Sequence, residues 1–561
     1  MQKKLSIIVP IFNAETYISE SLESVKRAIK DIPAEVILVD DHSTDKSSDI
    51  AKAFAEKEEA FEYYINDKQG VSCARNYGIK KASGKYLGFA DADDVVHEDM
   101  FAELIDVAEE YGCDMVICDA IRTKNQKKSY SSLHRKAYYN IRNLQISLEE
   151  DPLLIFDSTV WNRIIRRELY LENNIQFPPG LIYEDFPVVQ MMHFCSDNVR
   201  FVRNWGYEWR IRTDGISSIT KSHTNTKNLT DKIKTLEIAR ENAKAFNAPP
   251  EYFKNLDYRI LSLEFNGTIA VLKEIPEDKA LEHIDTAAKY IESCVNLDAV
   301  KELPLYDKQK IECILRRDLP GLIRLMNYKS LNYDNAPVIK NGESYEAVLP
   351  KQIFTIEDRD FRYEYARIPF YQGVDNIEVS ETAATIHAHI YLRRIEVPST
   401  ESQKVSAVIV NAKHDGEILL DTCNELRPEL TRNKGQVIST DDYTDYSYNY
   451  DGAGFRFEID FDALSKDERF RGRNYILLSC ENDIGETQQI LRYASKTAKK
   501  QLQEGISCEK NGCSINISLN EIEVIEINVN EIVANEEEIE ESSDKRQVKS
   551  SSHLLSRIMR R

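Results

Sequence analysis

The sequence has no apolar run approaching the roughly 18 uncharged residues that a membrane-spanning helix requires. The stretch MQKKLSIIVPIFNAE is interrupted by Pro10 and Asn13 and is too short for a signal segment. The 10 cysteines include no CxxC pair and no Cys/His ligand spacing, which excludes the usual structural zinc sites. Cys508 and Cys513, in CEKNGC, read as two free thiols in a turn. Reduced thiols fit a cytoplasmic chain. Basic charge is in deficit: 73 Lys and Arg against 94 Asp and Glu give a formal charge of −21. A surface of that sign does not bind nucleic acid indiscriminately. No repeat of fixed period is present, and no Gly-rich loop of GxGxR type precedes the first predicted helix, which argues against a nucleotidyltransferase.

What is present is ordinary globular composition, 42% hydrophobic and 30% charged, over 561 residues. At about 150 residues per domain, that length predicts three or four domains. The first 120 residues alternate strand and helix signals. LSIIVP is a continuous apolar run of the kind buried on both faces of a parallel sheet. A helical face follows in Tyr17, Ile18, Leu22, Val25 and Ile29, then a second buried strand, EVILVDD. Ser43-Thr44-Asp45 predicts a cap for the next helix. FEYYI, a helix from Val71 to Ala82, and KYLGFA continue the rhythm. Such βαβ order implies an open α/β sheet with right-handed crossovers, whose ligands bind beyond the carboxyl ends of the strands.

Those ends are where the chemistry-bearing residues fall. Asp91-Ala92-Asp93-Asp94 follows the strand that ends near Ala90, and crowded carboxylates at such a position are tolerated when a hard divalent cation neutralises them. Mn²⁺ or Mg²⁺ would bridge carboxylate to phosphate there. VPIFN and VDDHSTD close the first two strands, and GVSCARNYG places Arg75 at the start of a helix. Together the four segments offer an edge for a base, acceptors for a ribose and positive charge near phosphate.

VPIFN, VDDHSTD, GVSCARNYG and FADADD, in this order, resemble the inverting GT-A glycosyltransferases of family 2 over roughly residues 4–220. The resemblance implies a Rossmann-like, mostly parallel catalytic sheet and a nucleotide pocket lined by Pro10, Asn13, Asp41, Gly70 and Arg75. It further implies that Asp91 faces the ribose and Asp93 holds the metal, with Lys68 standing where many relatives carry Asn. Phe177-Pro178-Pro179-Gly180 precedes Glu184-Asp185, the family's position for the catalytic carboxylates, with Asp185 as base and Glu184 as a positioning group. Trp161 and Arg163 resemble a family W-x-K-L segment, Trp161 serving either to stack on sugar or to fill the core. Tyr207, Arg210, Arg212, Ser217 and Ser218 match a segment that closes over the diphosphate, where Arg210 or Arg212 would meet phosphate. No Q-x-x-R-W motif of processive synthases is present, which implies addition of single sugars.

Beyond this the texture changes. The expected organisation is a catalytic domain over 1–222, a helical linker over 223–332, an antiparallel β-sandwich region over 333–500, and an Ile-rich strand segment with a charged tail over 501–561. The architecture is similar to bacterial transferases that decorate wall teichoic acid or capsule. That similarity implies a UDP-sugar donor, with UDP-GlcNAc the first candidate, and a surface-glycan or polyol-phosphate acceptor. It also implies a homo-oligomer, dimer or trimer, through the β-rich end. The tyrosines of DDYTDYSYNYDG are candidates for stacking on sugar, and the basic tail with Leu554, Leu555, Ile558 and Met559 for peripheral contact with the inner membrane face. The alternative is a non-catalytic carbohydrate-binding or assembly protein on a decayed transferase domain, against which the intact DADD, ARN and ED segments speak.

Overall fold

A computed structural model describes residues 3–138, 141, 143–212, 226–331, 336–342, 344–357, 370–434, 436–438 and 445–532. Ser217, Ser218, the start of the tyrosine-rich loop and the basic tail lie outside the described residues.

Strands β1 (Leu5–Ile11), β2 (Ala34–Asp40), β3 (Phe61–Ile65) and β4 (Tyr86–Phe89) pair in parallel in the order β3-β2-β1-β4. Every residue of β1 is buried, as its unbroken apolar pattern demands of a strand covered on both faces. The sheet continues through the antiparallel β8 (Arg163–Arg166) to β6 (Met115–Lys124) and β9 (Val199–Arg210), a parallel pair, and ends at β5 (Val95–Val96). A short β7 (Lys127–Tyr130) pairs with β6 at the edge. The order reverses between β1 and β4, and the crevice at such a reversal is where open α/β sheets bind ligands.

Helices α1 (Ile18–Ala28), α2 (Ser47–Lys57), α3 (Val71–Lys81) and α4 (Met100–Tyr111) connect the parallel strands or cover the sheet. The capping expectation falls on Asp45: helix α2 starts at Ser47, and the Asp45 carboxylate accepts from the Ser47 amide at 2.9 Å. Asp45 also accepts from the Glu15 amide at 3.0 Å, tying the loop to the one after β1. The irregular-looking stretch after residue 120 is more ordered than its pattern suggests. It contributes α5 (Ser132–Tyr138), α6 (Arg167–Glu172), α7 (Asp185–Phe194) and the 12-residue β9.

Helices α8 (Thr226–Ala245) and α9 (Pro250–Arg259) follow, then a single wide π turn over Ile260–Glu264 and further helices including Glu277–Cys294, Leu305–Leu315 and Leu319–Leu331. Among the described residues no helix is long and apolar enough to cross a membrane. The C-terminal part forms a four-stranded and a seven-stranded antiparallel sheet with a common hydrophobic core. The Ile-rich segment is not a separate unit: Cys513–Leu519 and Ile525–Glu531 pair with each other, and the latter pairs with Gly472–Asn482. Its alternating pattern needed a sheet edge, and the seven-stranded sheet supplies one. Cys508, on the strand Ile506–Lys510 that pairs with Cys513–Leu519, and Cys513 are both free thiols.

The second half docks on the edge of the α/β sheet. Trp205 of β9 sits edge-on to Tyr475, ring centres 5.2 Å apart, in a small apolar cluster with Ile121, Val410, Leu477 and Val524. The Arg203 amide donates to the Ala412 carbonyl at 2.9 Å. Arg473 reaches back to Asn204 at 2.9 Å and Asp99 at 3.1 Å.

Candidate active site

The segments singled out by sequence converge at the carboxyl ends of β1, β2 and β4. Pro10 is buried within β1, opposite Val39 of β2. Asn13 and His42, just past the two strand ends, take left-handed backbone angles of φ 45° and 63°. The Asn13 side-chain Oδ1 accepts from the Thr44 amide at 2.8 Å, locking the two loops together. Asp41 is buried, and both its carboxylate oxygens accept from the Gly70 amide at 2.8 Å while one also accepts from Asn66 at 2.7 Å. Gly70 has φ +123°, where L side chains are strained, and a Cβ there would meet nothing within 4 Å. The glycine is therefore required by backbone geometry rather than by crowding. Asn66, which also donates to the Lys68 carbonyl, shapes the turn that contains Lys68.

Arg75, one turn into α3, organises the centre. Its side chain is only 4% exposed and its guanidinium donates to three carboxylates: Glu184 at 2.7 Å, Asp185 at 2.6 Å and Asp91 at 3.0 Å. Its plane lies over Phe177, 5.2 Å from the ring centre, and its Nε is buried without a partner. Burial opposes the charge, but Asp185, Asp91 and Glu184 outweigh it and raise its pKa. Both of its terminal nitrogens point at carboxylates, so Arg75 joins the end of β4 to the start of α7.

Asp185 opens α7 and Glu184 caps it, so both sit at the positive end of a helix. Burial, with Glu184 and Asp91 close by, raises the Asp185 pKa well above the usual carboxylate range despite Arg75. Asp91 is fixed from both sides: its amide donates to the Tyr207 hydroxyl at 2.9 Å and its carbonyl accepts from Ser21 at 3.1 Å. Asp93 accepts from Arg212 at 2.6 Å, and Asp94 from the Arg210 amide at 2.7 Å. Burial and the neighbouring aspartates raise the pKa of both Asp93 and Asp94. Arg210 also pairs with Glu20 at 2.7 Å, and both arginines lie over the Tyr17 ring.

These oxygens are the hard donors that Mn²⁺ or Mg²⁺ prefers, and the raised aspartate pKa values report an excess of negative charge that such an ion would relieve. Among the described residues no three His, Cys, Asp or Glu side chains converge on one point. The donor set therefore fits an ion that takes one or two ligands from the protein and the others from phosphate and water.

Other sequence candidates belong to the core. Trp161 is 4% exposed and stacks on Tyr207, rings 4.0 Å apart and 16° from parallel, so it supports the tyrosine beneath Asp91. Arg163 is fully buried and pairs with Asp157, itself bonded to Tyr138, Asn162 and Thr159. What sequence reasoning missed is the bracing of the Gly180–Glu184 loop. Tyr183, with φ 70°, hydrogen-bonds Asn228 at 2.7 Å. No local pattern marks it, because its partners lie 45 or more residues away.

Residues 6–172 match the family described as glycosyl transferase family 2. These residues form a family 2 glycosyltransferase domain. Over 219 residues, 38% of this chain, the sequence is 31% identical to the uncharacterized glycosyltransferase EpsJ of Bacillus subtilis. Over 247 residues, 41% of this chain, it is 30% identical to the minor teichoic acid biosynthesis protein GgaB of the same organism. The chain spans 63% of the length of the first and 27% of the second. In fold it is similar to S. aureus TarS, with a TM-score of 0.50 and 13% identity over 94% of this chain and 86% of that one. The likeness extends past the family 2 domain into the helical and antiparallel parts.

Proposed function

We propose that this chain transfers a sugar, with inversion, from a UDP-sugar to a hydroxyl of a bacterial surface polymer such as teichoic acid or capsule. One observation carries the reading: a single buried guanidinium holds Asp91, at the donor end of β4, and Glu184-Asp185, at the start of α7, within 3.0 Å of its nitrogens. Inverting transfer needs a base on one face of the sugar and a stabilised leaving diphosphate on the other. Asp185 is the base. Its raised proton affinity suits removal of a proton from an acceptor hydroxyl as the oxygen attacks the anomeric carbon. Glu184 fixes Arg75 and so the direction in which Asp185 points. Asp93 would hold Mn²⁺ or Mg²⁺, which would supply Lewis-acid stabilisation of the diphosphate. Pro10, Asn13, Asp41 and the Gly70 turn bound the nucleotide pocket, Asp91 faces the ribose, and Arg210 and Arg212 meet the phosphates.

The polymer acceptor is supported by the 30% identity to a teichoic acid biosynthesis protein. The same reading includes a cytoplasmic setting in peripheral contact with the membrane and a dimer or trimer built through the β-rich part. Sedimentation giving a monomer at micromolar concentration would remove the oligomer from it.

The test is UDP release from a panel of UDP-sugars led by UDP-GlcNAc, with Mn²⁺ and with EDTA. Release is expected only with the cation. Asp185→Asn should reduce turnover by about 10³-fold, within the range general-base catalysis contributes, while UDP binding by calorimetry is kept. Normal turnover in Asp185→Asn removes the base assignment, and turnover undiminished in EDTA removes the metal.

A further inference from the structure

The two residues that flank the carboxylate pair are each gripped by a cation from the helical segment beyond the family 2 domain. The Lys232 ammonium lies over the Tyr183 ring, 3.2 Å from its centre. The Arg259 guanidinium lies over the Phe186 ring at 4.2 Å. Both cations are anchored by one buried carboxylate, Glu264, which accepts from Lys232 at 2.8 Å and from Arg259 at 2.7 Å. Glu264 ends the wide turn at Ile260–Glu264, and single π turns within helices occur frequently at functional sites. Arg259 also donates to the Ile155 carbonyl at 2.6 Å, fixing the triad to the α/β domain.

The loop between is under strain. Tyr183 has φ 70°, a conformation costly for a bulky residue that persists only where surroundings impose it. Helix α8 imposes it along its first turns. Lys227 donates to the Gly180 carbonyl at 3.0 Å, Asp231 accepts from the Ile182 amide at 3.3 Å, and buried Asn228 accepts from the Tyr183 hydroxyl at 2.7 Å. Two backbone groups and the Tyr183 side chain are thus fixed immediately before Glu184.

From this geometry we infer that Lys232, Glu264 and Arg259 form a clamp that, through Tyr183 and Phe186, sets where Glu184 and Asp185 stand against Arg75. Tyr183 is a positioning residue for the base, and α8 with the π turn braces a site that the α/β sheet and α7 alone leave incomplete. The inference rests on the proposed role of Asp185. Its signature is a loss of rate without a loss of nucleotide binding, because the Asp41, Gly70 and Asn13 contacts lie on other loops.

The experiment compares the full chain with Tyr183→Ala, Tyr183→Phe, Lys232→Leu and Asp185→Asn. It measures kcat for UDP release from UDP-GlcNAc, Kd for UDP and thermal unfolding. Tyr183→Ala is expected to lower kcat about a hundredfold, the scale of a 1 Å misplacement, with the Kd for UDP within about twofold of wild type. Tyr183→Phe keeps the ring under Lys232 and loses only the hydroxyl, so it should recover most of that loss. Lys232→Leu should fall between them, and it carries the test if Tyr183→Ala does not fold. Wild-type kcat in both Tyr183→Ala and Lys232→Leu, alongside an inactive Asp185→Asn, overturns the clamp alone. Equal losses in kcat and UDP binding also overturn it, since those mark general unfolding. A wild-type chain that releases no UDP from any UDP-sugar removes the proposed function and the clamp together.

Discussion

Replacing Arg75 by methionine removes the guanidinium shared by Asp91, Glu184 and Asp185 while keeping a side chain of similar reach. Charges roughly 4 Å apart at an effective dielectric near 20 attract by about 4 kcal/mol per pair. Three such attractions overstate the effect, because burying the guanidinium is costly, the carboxylates repel one another, and Asp91 and Asp185 keep 29% and 27% of their side-chain surface in contact with solvent. The measured cost of stripping one partner from a buried ion pair is about 3–5 kcal/mol, and that is the expected loss at pH 7.5. For a domain of this size it corresponds to a fall of about 10 °C in the unfolding temperature of the N-terminal domain.

The dependence on pH separates this cause from simple loss of packing. Without Arg75 the repulsion of Asp185 by Glu184 and Asp91 is no longer offset, and the folded-state pKa of Asp185, already raised in the wild type by burial, rises further above its unfolded value. The folded variant then binds more protons than the unfolded one between about pH 4 and the raised value, so its stability falls as pH rises through that window. The deficit against wild type should shrink by about 1.4 kcal/mol per pH unit for each extra proton held, between pH 7.5 and pH 5. Calorimetry of both proteins across that range reads it directly. Arg75→Lys, with one ammonium in place of a forked guanidinium, should recover only part of the loss. A deficit independent of pH, or one that grows on acidification, would refute the electrostatic account.

Two further outcomes follow from other buried contacts. Lys232 and Arg259 offset the burial of Glu264 and hold its pKa at about 2, against an ordinary 4.5. A depressed carboxylate stabilises the fold above its unfolded pKa and loses that contribution as pH falls toward the folded value, a difference of about 3 kcal/mol. Glu264→Gln should therefore be less stable at pH 7 and show a flatter decline between pH 5 and pH 3, and parallel declines would count against the triad. Trp205→Ala removes an aromatic side chain from the contact between the α/β sheet and the antiparallel part, at a cost of about 3–5 kcal/mol. It should split calorimetric unfolding into two separated transitions, and an unsplit transition at the wild-type temperature would show that the contact does not couple the halves.

The parts of the fold legible in sequence are those in which one short stretch carries its own reason. LSIIVP and EVILVD are strands because unbroken apolar residues require two covering layers, and β1 and β2 are buried almost throughout. Gly70 and the aspartates at strand ends are legible because their chemistry is local to a turn. The elements within residues 121–220 are less legible, since Arg163 and Asn162 are polar yet interior, satisfied by Asp157 close by and, for Asn162, by Tyr138 and the Cys118 carbonyl 24 and 44 residues away. A hydropathy pattern counts them as surface. The same limit explains Arg75. The sequence marks a cation at the start of a helix, but whether it meets phosphate or carboxylate depends on Glu184 and Asp185, 109 and 110 residues later. The expected boundary near residue 222 hid the bracing of Tyr183 for the same reason, because a boundary drawn by texture says nothing of contacts across it.

The charge balance of the crevice ties these observations together. Asp91, Asp93, Asp94, Glu184 and Asp185 crowd one rim, against Arg75, Arg210 and Arg212, and Arg210 already answers Glu20. A diphosphate entering that rim adds negative charge to a place with a surplus of it. Two responses are available to such a site: protonation of the aspartates, which their raised pKa values favour, or entry of the nucleotide together with a divalent cation. Protonation alone would leave the leaving group without a counter-charge as its bond to the sugar breaks. On the proposed function, that surplus is what a divalent cation entering with the nucleotide would offset. The same reading accounts for the contacts of Arg75: with the phosphates neutralised by an ion, its guanidinium would be left to hold Asp185, a task for which its rigid fork is better suited than any single charge.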